Sequence, residues 1–320
     1  MRTAAHPKRA ILVATDFSKP GKLVVPYAFK LALALNLRLT ILHVMKVPPG
    51  IEHWSPGARR SLQSLKTKAL LDLGRIVRFA NENGLMADHK LLMGIPQDTI
   101  LEVAHSPDVA LIAMGTHGKT GLDQLRLGSV AESTVRQAPC PVLTIGASVT
   151  SHTSINPRRL SISRLLVATD FSAASKAALR TAVVLAKRLN ARGVLVHAAE
   201  PSGSLQADPL RVDELSRRRY AGRLQKIISA SRADEVITDK SVITGSPVEV
   251  ILDQAKHEKA DLIVVGTHGR RGMKRLMLGS VAEAMVRRAV CPVFTVKAHG
   301  RNPFDVTNGS RRSSTHCSTG

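Results

Sequence analysis

Two stretches of this chain repeat each other, and that duplication limits what the polypeptide can fold into. Ile11–Ser18 reads ILVATDFS and Leu165–Ser172 reads LLVATDFS, with 7 of 8 residues identical at an offset of 154. Met114–Ile145 returns as Val265–Val296 at an offset of 151, with 19 of 32 identical. Gly94-Ile95-Pro96 matches Gly245-Ser246-Pro247 at the same offset, so the second copy has lost three residues between His197 and Gly245. A unit this long is a duplicated domain, not a turn of a solenoid. The length of 320 residues agrees, because a single core rarely grows far beyond about 200 residues before a chain divides.

Each copy alternates two kinds of segment. In the first, Ala10–Thr15, Leu39–Val44, Lys90–Met93, Val109–Met114 and Val142–Ile145 are short, largely apolar runs that suit strands of a parallel sheet covered on both faces. Between them lie helical spacings over about Gly21–Leu35, Pro96–His105 and Ser129–Gln137. A further one carries Leu62, Leu65, Ala69, Leu73, Ile76, Val77 and Ala80 along one face. The second copy repeats the order, with strands near Leu165–Thr169, Gly193–Val196, Lys240–Ile243, Leu262–Val265 and Val293–Val296. Strand–helix alternation predicts two tandem doubly wound α/β domains with right-handed crossovers. The domains are expected at 1–146 and 162–297. An exposed linker is expected over 147–161, and a basic disordered tail over 298–320, where few apolar side chains remain.

In open α/β sheets ligands bind beyond the carboxyl ends of the strands, where strand order reverses. After the fourth strand comes Gly115-Thr-His-Gly118, then nine residues, then Gly128-Ser129 opening a helix. The second copy has Gly266-Thr-His-Gly269, nine residues, then Gly279-Ser280. Glycine lets a backbone approach a phosphate chain without a Cβ in the way, and a helix start offers N–H donors and a favourable dipole. Each serine hydroxyl could donate to a phosphate oxygen. The alternative is that these glycines only make turns and that Ser129 and Ser280 only cap helices; the full spacing found twice favours phosphate. No G-x4-G-K-[ST] phosphate loop occurs. Asp16 and Asp170 end the first strands, placed to accept from an adenine amino group or a ribose hydroxyl. An Asx turn accounts for them equally well. Val44 and Ala198 end the second strands, where backbone groups could read a base edge.

These motifs resemble the universal stress protein family, and the whole chain resembles a tandem member of it. The resemblance rests on Val-Ala-Thr-Asp-Phe-Ser, Gly-Thr-His-Gly, Leu-Gly-Ser-Val-Ala-Glu (127–132 and 278–283) and Cys-Pro-Val (140–142 and 291–293). It implies a five-stranded parallel sheet in each half and, in the ATP-binding branch, a G-x2-G-x9-G-[ST] phosphate loop. That loop maps onto Gly115, Gly118, Gly128 and Ser129, and onto Gly266, Gly269, Gly279 and Ser280. The family's adenine-side acid maps onto Asp16 and Asp170, and its second-strand contact onto Val44 and Ala198. Ala198 departs from the usual valine; a backbone contact would survive, with less apolar packing on the base. The implied ligand is ATP or a related adenine nucleotide, alone or with Mg2+, acting as a regulatory ligand in a stress-response or signalling protein. Family domains pair through their last strands, so Val142–Ile145 is expected against Val293–Val296; whether two chains then form a homodimer stays open.

The remaining chemistry is sparse. His43 and His197 close matching strands, and His117 and His268 lie in the glycine loops, with no further ligands at metal spacing. Cys140 and Cys291 are expected as small buried apolar groups, and three widely spaced cysteines make no disulfide framework. No apolar run approaches the roughly 20 residues of a membrane helix, which with the cysteine usage suggests a cytoplasmic protein. Nothing places a base and a charge clamp for hydrolysis, so the chain reads as a binding protein, with slow ATP hydrolysis left open. The net charge is +22. Its clusters, Arg158-Arg159, Arg217-Arg218-Arg219, Arg270-Arg271 with Lys274-Arg275, Arg287-Arg288 and Arg311-Arg312, read as scattered over faces and ends. Such a charge attracts nucleic acid or anionic lipid without specificity. The competing functional reading is a basic interaction protein for nucleic acid or an acidic partner, with merely structural glycine loops.

Overall fold

The computed structural model describes residues 9–46, 50, 55–116, 127–146, 148–149, 160–199, 214–269 and 278–301. The first half contains β1 (Ala10–Ala14), α1 (Lys19–Leu35), β2 (Arg38–Met45), α2 (Pro56–Glu82), β3 (Ala87–Met93), α3 (Pro96–Ala104), β4 (Val109–Gly115), α4 (Ser129–Gln137) and β5 (Val142–Ile145). The second repeats it as β6 (Arg164–Ala168), α5 (Ala173–Leu189), β7 (Arg192–Ala199), α6 (Glu214–Ala230), β8 (Ile237–Thr244), α7 (Pro247–His257), β9 (Leu262–Gly266), α8 (Ser280–Arg288) and β10 (Val293–Val296). Local chemistry sets the ends of the first helix identically in both copies. Ser18 and Ser172 cap α1 and α5 by accepting from the N–H of Gly21 and Ser175, and Asn36 and Asn190 close them at φ 54° and 53°.

The strands form one ten-stranded sheet in the order β3-β2-β1-β4-β5-β10-β9-β6-β7-β8. Each half is parallel and turns back between β1 and β4 or between β6 and β9, so the crevice of a doubly wound sheet opens there. The halves join where β5 and β10 pair antiparallel, Leu143 opposite Phe294, both fully buried. The side chain of Thr144 donates to Val293 O (3.3 Å) and that of Thr295 donates to Val142 O (3.2 Å). Matching residues of the two copies thus make matching bonds, as a pseudo-two-fold junction requires. The last-strand pairing expected from the resemblance is therefore present within one chain.

Helices α1, α2, α5 and α6 cover one face of the sheet over a core that runs through both halves. Helices α3 with α4, and α7 with α8, cover the other over two separate clusters.

Three expectations need correction. The long helix does not bury its whole apolar stripe: Ala69, Leu73 and Ala80 are buried, but Leu65 is 59% exposed, because α2 extends past the sheet it covers. The stretch read as an exposed linker buries Val149 and Leu160 at its described ends, both in the core shared by the two halves. The start of the expected tail is docked on the first half. Arg301 donates its N–H to Pro139 O (3.0 Å) and its guanidinium to the carbonyls of His105 and Ser106, which finish α3. Lys297 Nζ donates to Ala138 O at the end of α4 (2.8 Å). Residues 302–320 lie outside the described residues.

Candidate functional site

At each switch point the first strand ends in Thr-Asp-Phe-Ser, and the turn is held in an unusual shape. Phe17 and Phe171 sit at φ 60° and 67°, a left-handed conformation that bulky side chains rarely adopt. Side-chain acceptors on either side hold it. Thr15 Oγ1 and Thr169 Oγ1 accept from the N–H of Phe17 and Phe171, both at 3.1 Å. Asp16 Oδ1 and Asp170 Oδ1 accept from the N–H of Ser18 and Ser172, at 3.0 and 2.9 Å. The Asx turn is thus real, and it fixes each carboxylate at the mouth of the crevice.

The phenylalanine rings are braced by the strand-end histidines. Phe17 packs on His43 with ring centroids 4.7 Å apart, and Phe171 on His197 at 4.6 Å. His43 Nδ1 lies 2.7 Å from Thr15 O and His197 Nδ1 lies 2.8 Å from Thr169 O. A carbonyl only accepts, so each Nδ1 carries the proton. These histidines tie the second strand to the first-strand turn. Sequence reasoning singled them out but missed this role; their equal place after both copies was the available signal. The second copy adds Tyr220, whose ring is 4.6 Å from that of His197, and Arg223, 3.9 Å above the Phe171 ring.

Glycine caps open α4 and α8. Gly128 and Gly279 are the N-caps, and among the described residues neither helix start has a side-chain cap hydrogen bond. Ser129 and Ser280 are therefore first helical residues and do not cap, contrary to the bland expectation. The N–H of Gly128 and of Gly279 is used by Thr116 O and Thr267 O, at 2.9 and 2.8 Å. The donors offered at the crevice are consequently those of the first helical turn.

The first glycine of each loop has a packing role. A Cβ on Gly266 would stand 2.7 Å from the backbone carbon of Ala174 and 2.8 Å from Ser175 N; one on Gly115 would meet Pro20 C at 3.1 Å and Gly21 N at 3.2 Å. Strands β4 and β9 thus press their ends against the first turns of α1 and α5. Gly269 differs. It is exposed, and a Cβ there would meet only a side chain, Asp170 Oδ2 at 2.8 Å. The second glycine loop therefore lies directly beside the first-strand acid, joined also by the Ser172 hydroxyl donating to His268 O at 3.3 Å. Gly118 and His117, with the rest of 117–126, and the cationic stretch 270–277 lie outside the described residues.

Val44 and Ala198 are half-buried near the ends of β2 and β7, packed against the clusters under α3/α4 and α7/α8. That is the face on which α4 and α8 begin. Among the described residues no group of three or more His, Cys, Asp or Glu is placed to hold a metal ion.

Cys140 and Cys291 are buried and unpaired as thiols, as expected. Burial pushes both up to about 12 from an ordinary 9.0. Folding therefore holds them neutral, and their contribution is complete below pH 9. Above it the unfolded chain ionises first, so stability falls as pH rises toward about 12. In the Cys317→Ser protein we expect no reaction with an aromatic disulfide at pH 8 in the native state and two thiols in denaturant. Native-state labelling of either would contradict this burial.

The model of the universal stress protein family matches residues 8–146 and again 161–297. A universal stress protein of Methanocaldococcus jannaschii is 30% identical over 146 residues, covering 45% of this chain and 86% of that protein. A universal stress protein of Mycobacterium tuberculosis is 27% identical over 319 residues, covering 92% of this chain and 97% of that one. The crystal structure of a universal stress protein from Archaeoglobus fulgidus shares the fold, with a TM-score of 0.68 at 22% identity, over 90% of this chain and 98% of that one. With both halves matched by the family model and doubly wound on the same plan, the chain belongs to the universal stress protein family as a tandem two-domain member.

Proposed function

We propose that each half binds an adenine nucleotide, ATP foremost, at the carboxyl edge of its sheet, and that the protein uses it as a regulatory ligand. One observation carries the reading. Helices α4 and α8 both begin at a switch point with a glycine cap and, among the described residues, no side-chain cap, so their first-turn N–H groups are placed to take an anion. The first-turn N–H groups and the hydroxyls of Ser129 and Ser280 would hold the phosphates. Asp16 and Asp170 would accept from the ribose or base, with the backbone of Val44 and Ala198 at the base edge. Gly118 and Gly269 would allow the loop to approach the phosphate chain. Mg2+, if it accompanies the nucleotide, would be held by phosphate oxygens. Two such sites in one chain would let nucleotide occupancy bias the shared sheet or the surface seen by a partner.

Mass spectrometry of the denatured, freshly purified protein is expected to release ATP, ADP or AMP. Titration of the stripped protein with ATP should give saturable heat. Absence of both would overturn the proposal.

A further inference from the structure

The charge that reads as scattered in the sequence is gathered by the fold. Helices α1, α2, α5 and α6, all on one face, carry eighteen Lys and Arg against three Asp and Glu. Helices α3, α4, α7 and α8, on the opposite face, carry four against six. One layer is therefore +15 and the other −2, out of a chain total of +22. The basic layer is continuous, because α1, α2, α5 and α6 share a single core across both halves. Ten strands spaced at about 4.8 Å make it roughly 45 Å wide.

The same layer shows apolar groups to water. Leu33 on α1, Leu65, Leu70, Leu71 and Phe79 on α2, and Leu215 on α6 are all at least 40% exposed. Among the described residues these are the only large apolar side chains so exposed within a helix. On α2 the buried stripe is Ala69, Leu73 and Ala80. At 100° per residue the opposite stripe carries Arg60, Lys68, Leu71, Arg75 and Arg78, with the acid Glu82 at its C-terminal end. Leucine at the centre of a cationic stripe is a combination with few uses in water.

We propose that this layer, led by α2, docks on an anionic membrane surface. Two terms add there. Each cation near an anionic leaflet is attracted by its surface potential, and leucine and phenylalanine side chains enter the boundary between headgroups and acyl chains. A nucleic-acid backbone would satisfy the charge but offer nothing to Leu71. Single-strand binding would further require a row of aromatic platforms; among the described residues of this layer Tyr27 and Phe29 are buried, Tyr220 is packed on Phe171 and His197, and Phe79 alone is exposed. The docked protein would lie on the surface without crossing, since among the described residues no helix is long and apolar enough to span a membrane. The crevices at the sheet's carboxyl edge would stay open to solution.

The full chain is tested by co-sedimentation with vesicles of phosphatidylcholine containing 30% phosphatidylglycerol, and with pure phosphatidylcholine. Binding is expected to the first and not to the second. Arg60→Glu/Lys68→Glu/Arg78→Glu should weaken it by about tenfold or more. An equal charge change on the opposite face, Arg136→Glu/Lys256→Glu/Arg287→Glu, should change it less than about threefold. Leu65→Ser/Leu71→Ser, which leaves the charge untouched, should weaken vesicle binding several-fold and leave retention of a 30-base-pair duplex unchanged. These side chains are exposed or partly exposed, and circular dichroism should show the fold intact in all three variants. Equal losses from the two charge reversals would reduce the effect to net charge and overturn the proposal. Vesicle binding indifferent to Leu65→Ser/Leu71→Ser, with tighter binding to the duplex, would overturn it in favour of nucleic acid.

Discussion

Gly266→Ala is expected to cost about 3 kcal/mol of stability, a large loss for the addition of one methyl group. In most strand positions the change would be neutral or helpful, since alanine gives up less backbone freedom on folding. Here the new Cβ would stand 2.7 Å from a backbone carbon and 2.8 Å from a backbone nitrogen of α5. Neither atom can swing away as a side-chain tip can, so the helix or the strand must shift. That shift spreads into the shared core, where Ala177, Ala178 and Leu179 of α5 are buried. Gly115→Ala is expected to cost less, about 1–2 kcal/mol, because its nearest backbone contacts are 3.1 and 3.2 Å. Urea denaturation of the full chain, followed by circular dichroism, measures both. Costs below about 1 kcal/mol at both positions would mean that the strand–helix contact is looser than it looks.

How much of this could be read beforehand varies with how local its cause is. Strands β5 and β10 were legible to the residue, because central strands buried on both sides are continuous apolar runs. Edge strand β3 was read only from Lys90, yet begins at Ala87: Asp88, His89 and Lys90 lie at the sheet margin, where polar side chains remain wet. The glycine spacing was plain, but only coordinates separate Gly266, closed in by the backbone of α5, from Gly269, which faces the Asp170 side chain. Nothing in the sequence marks Phe17 and Phe171 as left-handed, since aromatic residues disfavour that region and only the threonine, aspartate and histidine around them enforce it. Charge was the furthest from legible. Arg60, Arg180 and Arg217 are far apart along the chain and share a face only because the first two crossovers of each half run one way across the sheet and the last two the other, which places α1, α2, α5 and α6 on one side.

Gly269→Val should separate binding from folding, the converse of Gly266→Ala. Gly269 is exposed, and its only close neighbour in the Cβ direction is the Asp170 carboxylate. A valine there pushes on Asp170 Oδ2, while Oδ1 of the same carboxylate holds the Ser172 N–H, so stability should fall by about 1 kcal/mol, well short of the Gly266→Ala loss. Nucleotide at the second site would lose two things together, the close approach of the loop backbone and the carboxylate that the loop lies against. Hydrogen bonds to charged groups contribute about 1.5–3 kcal/mol each, so loss of one or two lowers affinity by about a hundredfold. ATP titration by calorimetry should then fall from two sites per chain to one. Gly118→Val combined with Gly269→Val should remove both. A Gly269→Val protein that still binds two equivalents at full affinity would place the ligand away from this loop, whatever Gly266→Ala does to the fold. Vesicle binding serves as the internal control: it depends on α2 and not on the crevice, so it should persist in the Gly269→Val protein even when nucleotide binding is lost.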